Sequence, residues 1–137
     1  MKILVPVDSS EFAIKAVEKA IQMAKEQGAQ LTIMSVVAQF EGVAQEVPVH
    51  FADRLKDQAK QAVNRGKQLV EQAGLPCQTL VEVGTSPADS IVRYAEESKT
   101  DLIVMGHRGL SALGRFVVGS VASRVVAYAP CSVLVVR

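Results

Sequence analysis

The chain is 137 residues long, with 49% hydrophobic and 21% charged residues, which suits one domain and excludes a disordered or fibrous protein. Its net charge is only +1, with 4% aromatic residues and no Trp, which excludes a stacking platform for single-stranded nucleic acid and argues against bulk nucleic-acid binding. A domain near this size buries roughly 70% of its unfolded-chain surface, so a core forms without disulfides or a structural metal.

Lys2 to Val7 is a short apolar run followed by Asp8-Ser9-Ser10, a strand and then a turn. Phe12, Ala13, Ala16, Val17, Ala20 and Ala24 then recur at helical spacing. Ser9 or Ser10 can cap this helix and Gly28 can end it. Leu31 to Val37 is the second strand, and residues 38 to 50, with Gly42 and Pro48 and no period, read as a loop. Phe51, Leu55, Ala59, Ala62, Val63, Gly66, Leu69, Val70 and Ala73 mark a long amphipathic helix closed by Gly74-Leu75-Pro76. Gly66 lies on its apolar face, where it allows close approach to a sheet at a cost of up to ~1 kcal/mol against alanine. Cys77 to Val83 is the third strand. Ser86-Pro87-Ala88-Asp89 starts a helix, with Ser86 as cap, Pro87 at the first position and Ile91, Val92 and Ala95 on the buried side. Asp101 to Met105, nearly all apolar, is a central fourth strand. Gly106 to Gly119 is glycine-rich, Ser120 to Ala129 is helical with Pro130 after it, and Ser132 to Val136 is the last strand.

Strand and helix alternate throughout, which gives an α/β fold with a parallel sheet and helices on both faces. No repeat, linker or low-complexity tract divides residues 1–137, so they form a single domain. No apolar window reaches the ~18 residues of a membrane helix, and Ile3-Leu4-Val5-Pro6-Val7 is too short for a signal peptide and lacks a cleavage site. The expectation is a cytoplasmic protein without membrane insertion. Cys77 and Cys131 sit in apolar runs and read as buried thiols.

Open α/β sheets bind ligands beyond the carboxyl ends of their strands, where the strand order reverses. Two ends stand out here: Pro6-Val7-Asp8-Ser9 and Met105-Gly106-His107-Arg108-Gly109. In Gly106-x2-Gly109-x9-Gly119-Ser120, glycines let phosphate oxygens approach the backbone. Ser120 then opens a helix whose N-terminus attracts anions and whose hydroxyl can add a hydrogen bond. Residues 102 to 137 contain no Asp or Glu but hold Arg108, Arg115, Arg124 and Arg137, a net of +4, against −3 for the rest. Arg108, Arg115 and Arg124 therefore lie in or beside the glycine segment with no acid to neutralise them. The alternative is an ordinary loop and a capped helix, since short glycine motifs are weak signals. Asp8 likewise has an alternative role in capping the first helix. His50 and His107 lack ligand-spaced partners, which argues against a histidine metal site, and His107 reads as packing or meeting solvent at the loop.

Gly109-x4-Gly114-Arg115-Phe116 is a near miss for a P-loop, and no G-x-G-x-x-G occurs. A phospho-receiver domain needs clustered acids after the first strand, where only Asp8 stands. The full chain, from Ile3-Leu4-Val5-Pro6-Val7-Asp8 through the G-x2-G-x9-G-S/T spacing to Pro130-Cys131-Ser132-Val133-Leu134-Val135-Val136, resembles the universal stress proteins, specifically their ATP-binding branch. The resemblance implies a single Rossmann-like domain whose five-stranded parallel sheet has the order 3-2-1-4-5. It implies that Pro6, Val7 and Asp8 line the adenosine end, with Asp8 near the ribose or a phosphate-bound metal. It implies that Val36 meets the adenine and that Met105 and Gly106 wall the sugar. Arg108, Gly109, Leu110, Ser111 and Ala112 would run along the phosphates, and Gly119, Ser120, Val121 and Ala122 would hold them from the helix start. Ala122 stands where many relatives have Ser or Thr, which removes one hydroxyl contact unless Ser123 supplies it.

The implied cofactor is ATP, or ADP or AMP, with Mg²⁺ or Mn²⁺ at the phosphates. The implied role is a stress-response regulator in which nucleotide is a conformational ligand, with at most slow hydrolysis. The last strand would lie at a sheet edge. Val133-Leu134-Val135-Val136 carries no device against edge pairing, so a homodimer through residues 132–137 is expected, alongside an unidentified regulatory protein partner. The rival readings are an ATP-hydrolysing or nucleotidyl-transferring enzyme of the adenine-nucleotide hydrolase-like group, and a nucleotide-free dimeric interaction protein. An adenylating enzyme would carry a Ser-Gly-Gly-type loop where Val7-Asp8-Ser9-Ser10-Glu11 stands.

Overall fold

A computed structural model describes residues 1–39, 50–109 and 118–137. Nine elements follow in chain order: β1 (Lys2–Pro6), α1 (Glu11–Gln27), β2 (Gln30–Ala38), α2 (Phe51–Gln72), β3 (Cys77–Gly84), α3 (Pro87–Glu97), β4 (Leu102–Gly106), α4 (Ser120–Tyr128) and β5 (Ser132–Val136). The expected elements are all present, each within one or two residues of its sequence-based bounds. The five strands form one parallel sheet in the order β3-β2-β1-β4-β5. The expected loop at 38–50 overlaps residues 40–49, which lie outside the described residues.

The sheet separates two apolar layers, because side chains alternate across a strand. Ile3, Val5 and Val7 of the β1 segment join Leu31, Ile33, Leu102 and Val104 under α1 and α2. Leu4, Met34, Ile103 and Met105 face the other way, under α3 and α4. The buried face of α1 is almost all alanine: Ala13, Ala16, Val17, Ala20 and Ala24. Small side chains there bring the helix close to the strands. Gly66 does the same for α2: a Cβ added to it would fall 3.1 Å from Ile33 Cγ2.

Local chemistry marks the helix ends. Ala13 N–H donates to Ser10 Oγ at the start of α1, and Gly28, at φ 69°, closes it in the left-handed conformation. Asp89 N–H donates to Ser86 Oγ at the start of α3, with Pro87 in the first turn. At the start of α4, Gly119 supplies no side-chain cap.

The β1–β4 seam is short. Ile3 pairs with Leu102 and Leu4 with Ile103, whereas β1 and β2 pair over five positions up to Pro6↔Met34. The reason is chemical. Successive residues of a parallel strand bond to opposite neighbours. Val7 N–H donates to Met34 O on the β2 side, so Pro6, one residue earlier, turns toward β4. Proline has no N–H to give, and the ladder stops there. The carboxyl ends of β1 and β4 then part, with α1 on one face of the sheet and α4 on the other.

Gly66→Leu is expected to destabilise the fold by about 1–3 kcal/mol through overpacking against Ile33 and Val17. Gly66→Ala is expected to be near neutral, its gain in helix propensity offsetting the squeeze. Urea unfolding midpoints of the two variants check both.

Candidate functional site

The parted ends of β1 and β4 open into a cavity of about 710 Å³ on the α3/α4 side. Each expected site residue that is described lines it: Pro6, Val7 and Asp8 after β1, Val36 on β2, Met105 to Gly106 and Arg108 to Gly109 after β4, and Gly119 to Ala122 at α4. Leu110, Ser111 and Ala112 lie outside the described residues, as does Arg115.

The sequence reading missed part of the lining, notably Met34, Ala38, Pro87 and Ile91. Met34 was within reach, since it stands two residues before Val36 and shares its side of the strand. Pro87 and Ile91 were not. They face the cavity because α3 packs beside α4 on one side of the sheet, which follows only from the strand order.

Asp8 is tied down locally. Ser10 N–H donates to its Oδ1 at 2.8 Å, just ahead of α1. The N-cap of that helix is Ser10, so Asp8 orients the cap and is not itself the cap. Its other oxygen, Oδ2, faces Gly109. A Cβ added there would fall 2.6 Å from it.

The site glycines are required for a reason other than an unusual dihedral. Among the described glycines only Gly28 and Gly74 have positive φ. Gly106, Gly109 and Gly119 are instead places of close approach. A Cβ at Gly106 would lie 2.8 Å from Phe12 Cβ, and one at Gly119 would lie 3.2 Å from Arg108 Cα and 3.3 Å from His107 O. Protein atoms already occupy the space that a side chain would need. One peptide frame holds the cluster: Gly119 N–H donates to His107 O at 2.6 Å, and His107 N–H donates to Val136 O at 2.8 Å.

The N-terminus of α4 lacks a side-chain cap and has no acid in its first turn. Its first N–H groups have no partner within the helix. The helix dipole adds partial positive charge at the same place. These features suit a phosphate. Arg108 contributes a full charge. Its Nε and Nη1 are buried and have no hydrogen-bond partner among the described residues.

The expectation that Arg124 goes unneutralised is overturned. Arg124 Nε donates to Asp89 Oδ1 at 2.8 Å, and its guanidinium carbon lies 5.2 Å from the Tyr128 ring centroid. The hydrogen bond from Arg124 holds the Asp89 carboxyl below its usual range. The acid comes from α3, outside the acid-free quarter, and the α3–α4 packing delivers it. His107 is buried, with its ring edge-on to Phe12 at 4.7 Å.

Cys77 and Cys131 carry free, half-buried thiols. Burial pushes both above the usual cysteine value, with Glu71 adding to the shift at Cys77 and Asp101 at Cys131. Neither is primed as a thiolate nucleophile. Among the described residues no group of three His, Cys, Asp or Glu is placed to hold a metal ion, and no helix is long and apolar enough to cross a membrane.

Over residues 1–137 the chain matches the universal stress protein family. It is 38% identical, over 139 aligned positions, to a universal stress protein of Methanocaldococcus jannaschii, covering 99% of this chain and 81% of that protein. The universal stress protein UspA of Lactobacillus plantarum superposes with a TM-score of 0.87 at 35% identity, covering 100% of this chain and 97% of that one. A universal stress protein in complex with cAMP superposes with a TM-score of 0.76 at 26% identity, covering 100% and 97%. A match of this extent, on a sheet of order 3-2-1-4-5, places the chain in the universal stress protein family.

Proposed function

We propose that this chain is a cytoplasmic stress-response protein that binds an adenine nucleotide in the β1/β4 cavity, ATP in preference, as a conformational ligand with at most slow hydrolysis. One observation carries the reading: twelve residues expected from the sequence to bind nucleotide, drawn from four separate chain segments, line a single cavity. The relative in complex with cAMP supports an adenine nucleotide as the ligand class.

In this reading the apolar lining at Met34, Val36 and Ile91 receives the base, and Val7 and Met105 flank the sugar. The uncapped N–H groups at Ser120, Val121 and Ala122, the Ser120 hydroxyl and the Arg108 guanidinium hold the phosphates. A Mg²⁺ or Mn²⁺ ion fits only as a shared guest. Asp8 offers one carboxylate oxygen and the remaining ligands would be phosphate oxygens and water, in keeping with how Mg²⁺ is usually held. Such an ion supplies charge neutralisation for a triphosphate facing Asp8.

The same reading includes a homodimer through residues 132–137 and an unidentified regulatory protein partner. Among the described strands β5 lies at the sheet edge, paired with β4, and Val133 to Val136 stay half-buried. Antiparallel pairing of two such edges would satisfy their free N–H and C=O groups. Nucleotide at α4 and pairing at β5 would meet at the His107 peptide, which bonds to both.

Calorimetry with ATP and Mg²⁺ tests the binding: a saturable heat is expected, and neither heat nor thermal stabilisation at millimolar ATP refutes it. Asp8→Ala is expected to lower ATP affinity about tenfold, the weight of one charge-assisted contact. The same substitution is expected to cost about 1 kcal/mol of stability through the lost Ser10 contact. A large fall in melting temperature with unchanged affinity would assign Asp8 to the helix start alone.

Val135→Pro is expected to convert the dimer to a monomer on light scattering: Val136 O accepts from His107 on the β4 side, so Val135 N–H, one residue earlier, faces the free edge, and proline there cannot donate to an edge ladder. A monomeric wild type, or a dimeric proline variant, refutes this interface.

A further inference from the structure

Phe12 is the first large residue of α1 and its ring lies outside the cavity lining. Three groups from the β4 end gather on it. The Arg108 guanidinium carbon is 5.2 Å from the ring centroid. The His107 ring meets it edge-on at 4.7 Å and an interplanar angle of 87°. Gly106 packs against its backbone so closely that a Cβ there would lie 3.0 Å from Phe12 C and O. The Lys15 ammonium adds a second cation, 5.9 Å from the same ring.

A guanidinium on an aromatic face keeps its charge while losing much of its water. That is the state of Arg108: Nε and Nη1 are buried, and neither has a hydrogen-bond acceptor among the described residues. Leaving two such donors unmet is costly. An anion arriving in the cavity that Arg108 lines would offset the cost. The Phe12 ring ties Arg108 to α1, away from its own loop. A flexible arginine loses side-chain entropy when it binds an anion, and one already stacked on an aromatic ring loses less.

We propose that Phe12 is a positioning residue for the phosphate end of the nucleotide. It holds Arg108 desolvated and pre-ordered, so that its charge acts on the anion with little further loss of side-chain freedom. The proposal rests on the nucleotide reading above and deepens it. Its consequence is selective, because Phe12 does not touch the cavity and adenosine carries no anion.

The test is calorimetry on the full chain with AMP, ATP with Mg²⁺, and adenosine as ligands. Phe12→Leu is expected to weaken AMP and ATP binding about three- to tenfold, the range of a partly desolvated cation–π contact, and to leave adenosine unchanged. Phe12→Tyr, which keeps the ring, is expected to restore nucleotide affinity. In an Arg108→Gln background, Phe12→Leu is expected to have no further effect. Equal loss for adenosine and nucleotides, failure of the tyrosine to restore binding, unchanged or tightened nucleotide binding, or full additivity with Arg108→Gln would each overturn the proposal. A wild type that binds neither AMP nor ATP would instead remove the nucleotide reading, and the role of Phe12 with it. Circular dichroism confirms that each variant is folded, and Phe12→Met serves as a second ring-free variant if Phe12→Leu is not.

Discussion

The missing N–H of Pro6 shapes the ligand side of this molecule. Between Ile3 and Leu4 the β1 strand is zipped to β4, and that pairing fixes both strands in one sheet. At Pro6 the next bond toward β4 has no donor, while Val7, turned the other way, still bonds to Met34. The chain therefore remains attached to β2 but separates from β4. Had the ladder continued, the carboxyl ends would run on as paired strand and the cavity between them would be narrower. The position matters because the strand order also reverses here. Of the helices, α1 packs on one face of the sheet and α4 on the other, so the two strand ends lead to opposite sides of the opening.

Close approach then takes over from hydrogen bonding as the organising constraint. Gly106 lies on Phe12, Gly109 on Asp8 and Gly119 on the Arg108 and His107 backbone, each so close that an added Cβ would press on its neighbour. The three contacts bring together α1, the end of β4 and the start of α4, which are far apart in sequence. The glycines thus belong to the packing of the loop itself. At the start of α4 the backbone then lines the cavity without a side-chain cap.

This explains which features were legible in the sequence. The elements were, because their periods, caps and terminators are local: Ser10 and Gly28 bracket α1, and Ser86-Pro87 opens α3. Twelve lining residues were also legible, through motif spacing joined to a family resemblance. The physical reason for the glycines was only partly so. A sequence shows that a Cβ is absent at Gly109 but not that Asp8 Oδ2 lies where it would be. Charge was the least legible. Counting acids along the chain left Arg124 bare, whereas Asp89 reaches it from α3 across 35 residues. Phe12 read as a core position by its spacing, and its real neighbours, His107 and Arg108, come from the far side of the chain.

The starts of α1, α2 and α3 each carry an acid in the first turn, and the start of α4 does not. α1 and α3 both begin with a serine whose hydroxyl accepts from the first turn, and each also carries an acid there, Glu11 and Asp89. Their N-terminal charge is largely answered from within. α4 begins with Gly119, has no side-chain cap and no acid in its first turn, and Asp89 of the neighbouring α3 is committed to Arg124. Bare amides, a helix dipole and an unpaired arginine coincide at that end of the cavity. Among the described lining residues the opposite charge enters from Asp8, held across the opening by Ser10. A ligand spanning the two must be anionic toward α4 and either neutral or metal-bridged toward Asp8. A phosphorylated nucleoside, with an uncharged base and sugar and its charge confined to one end, has that polarity.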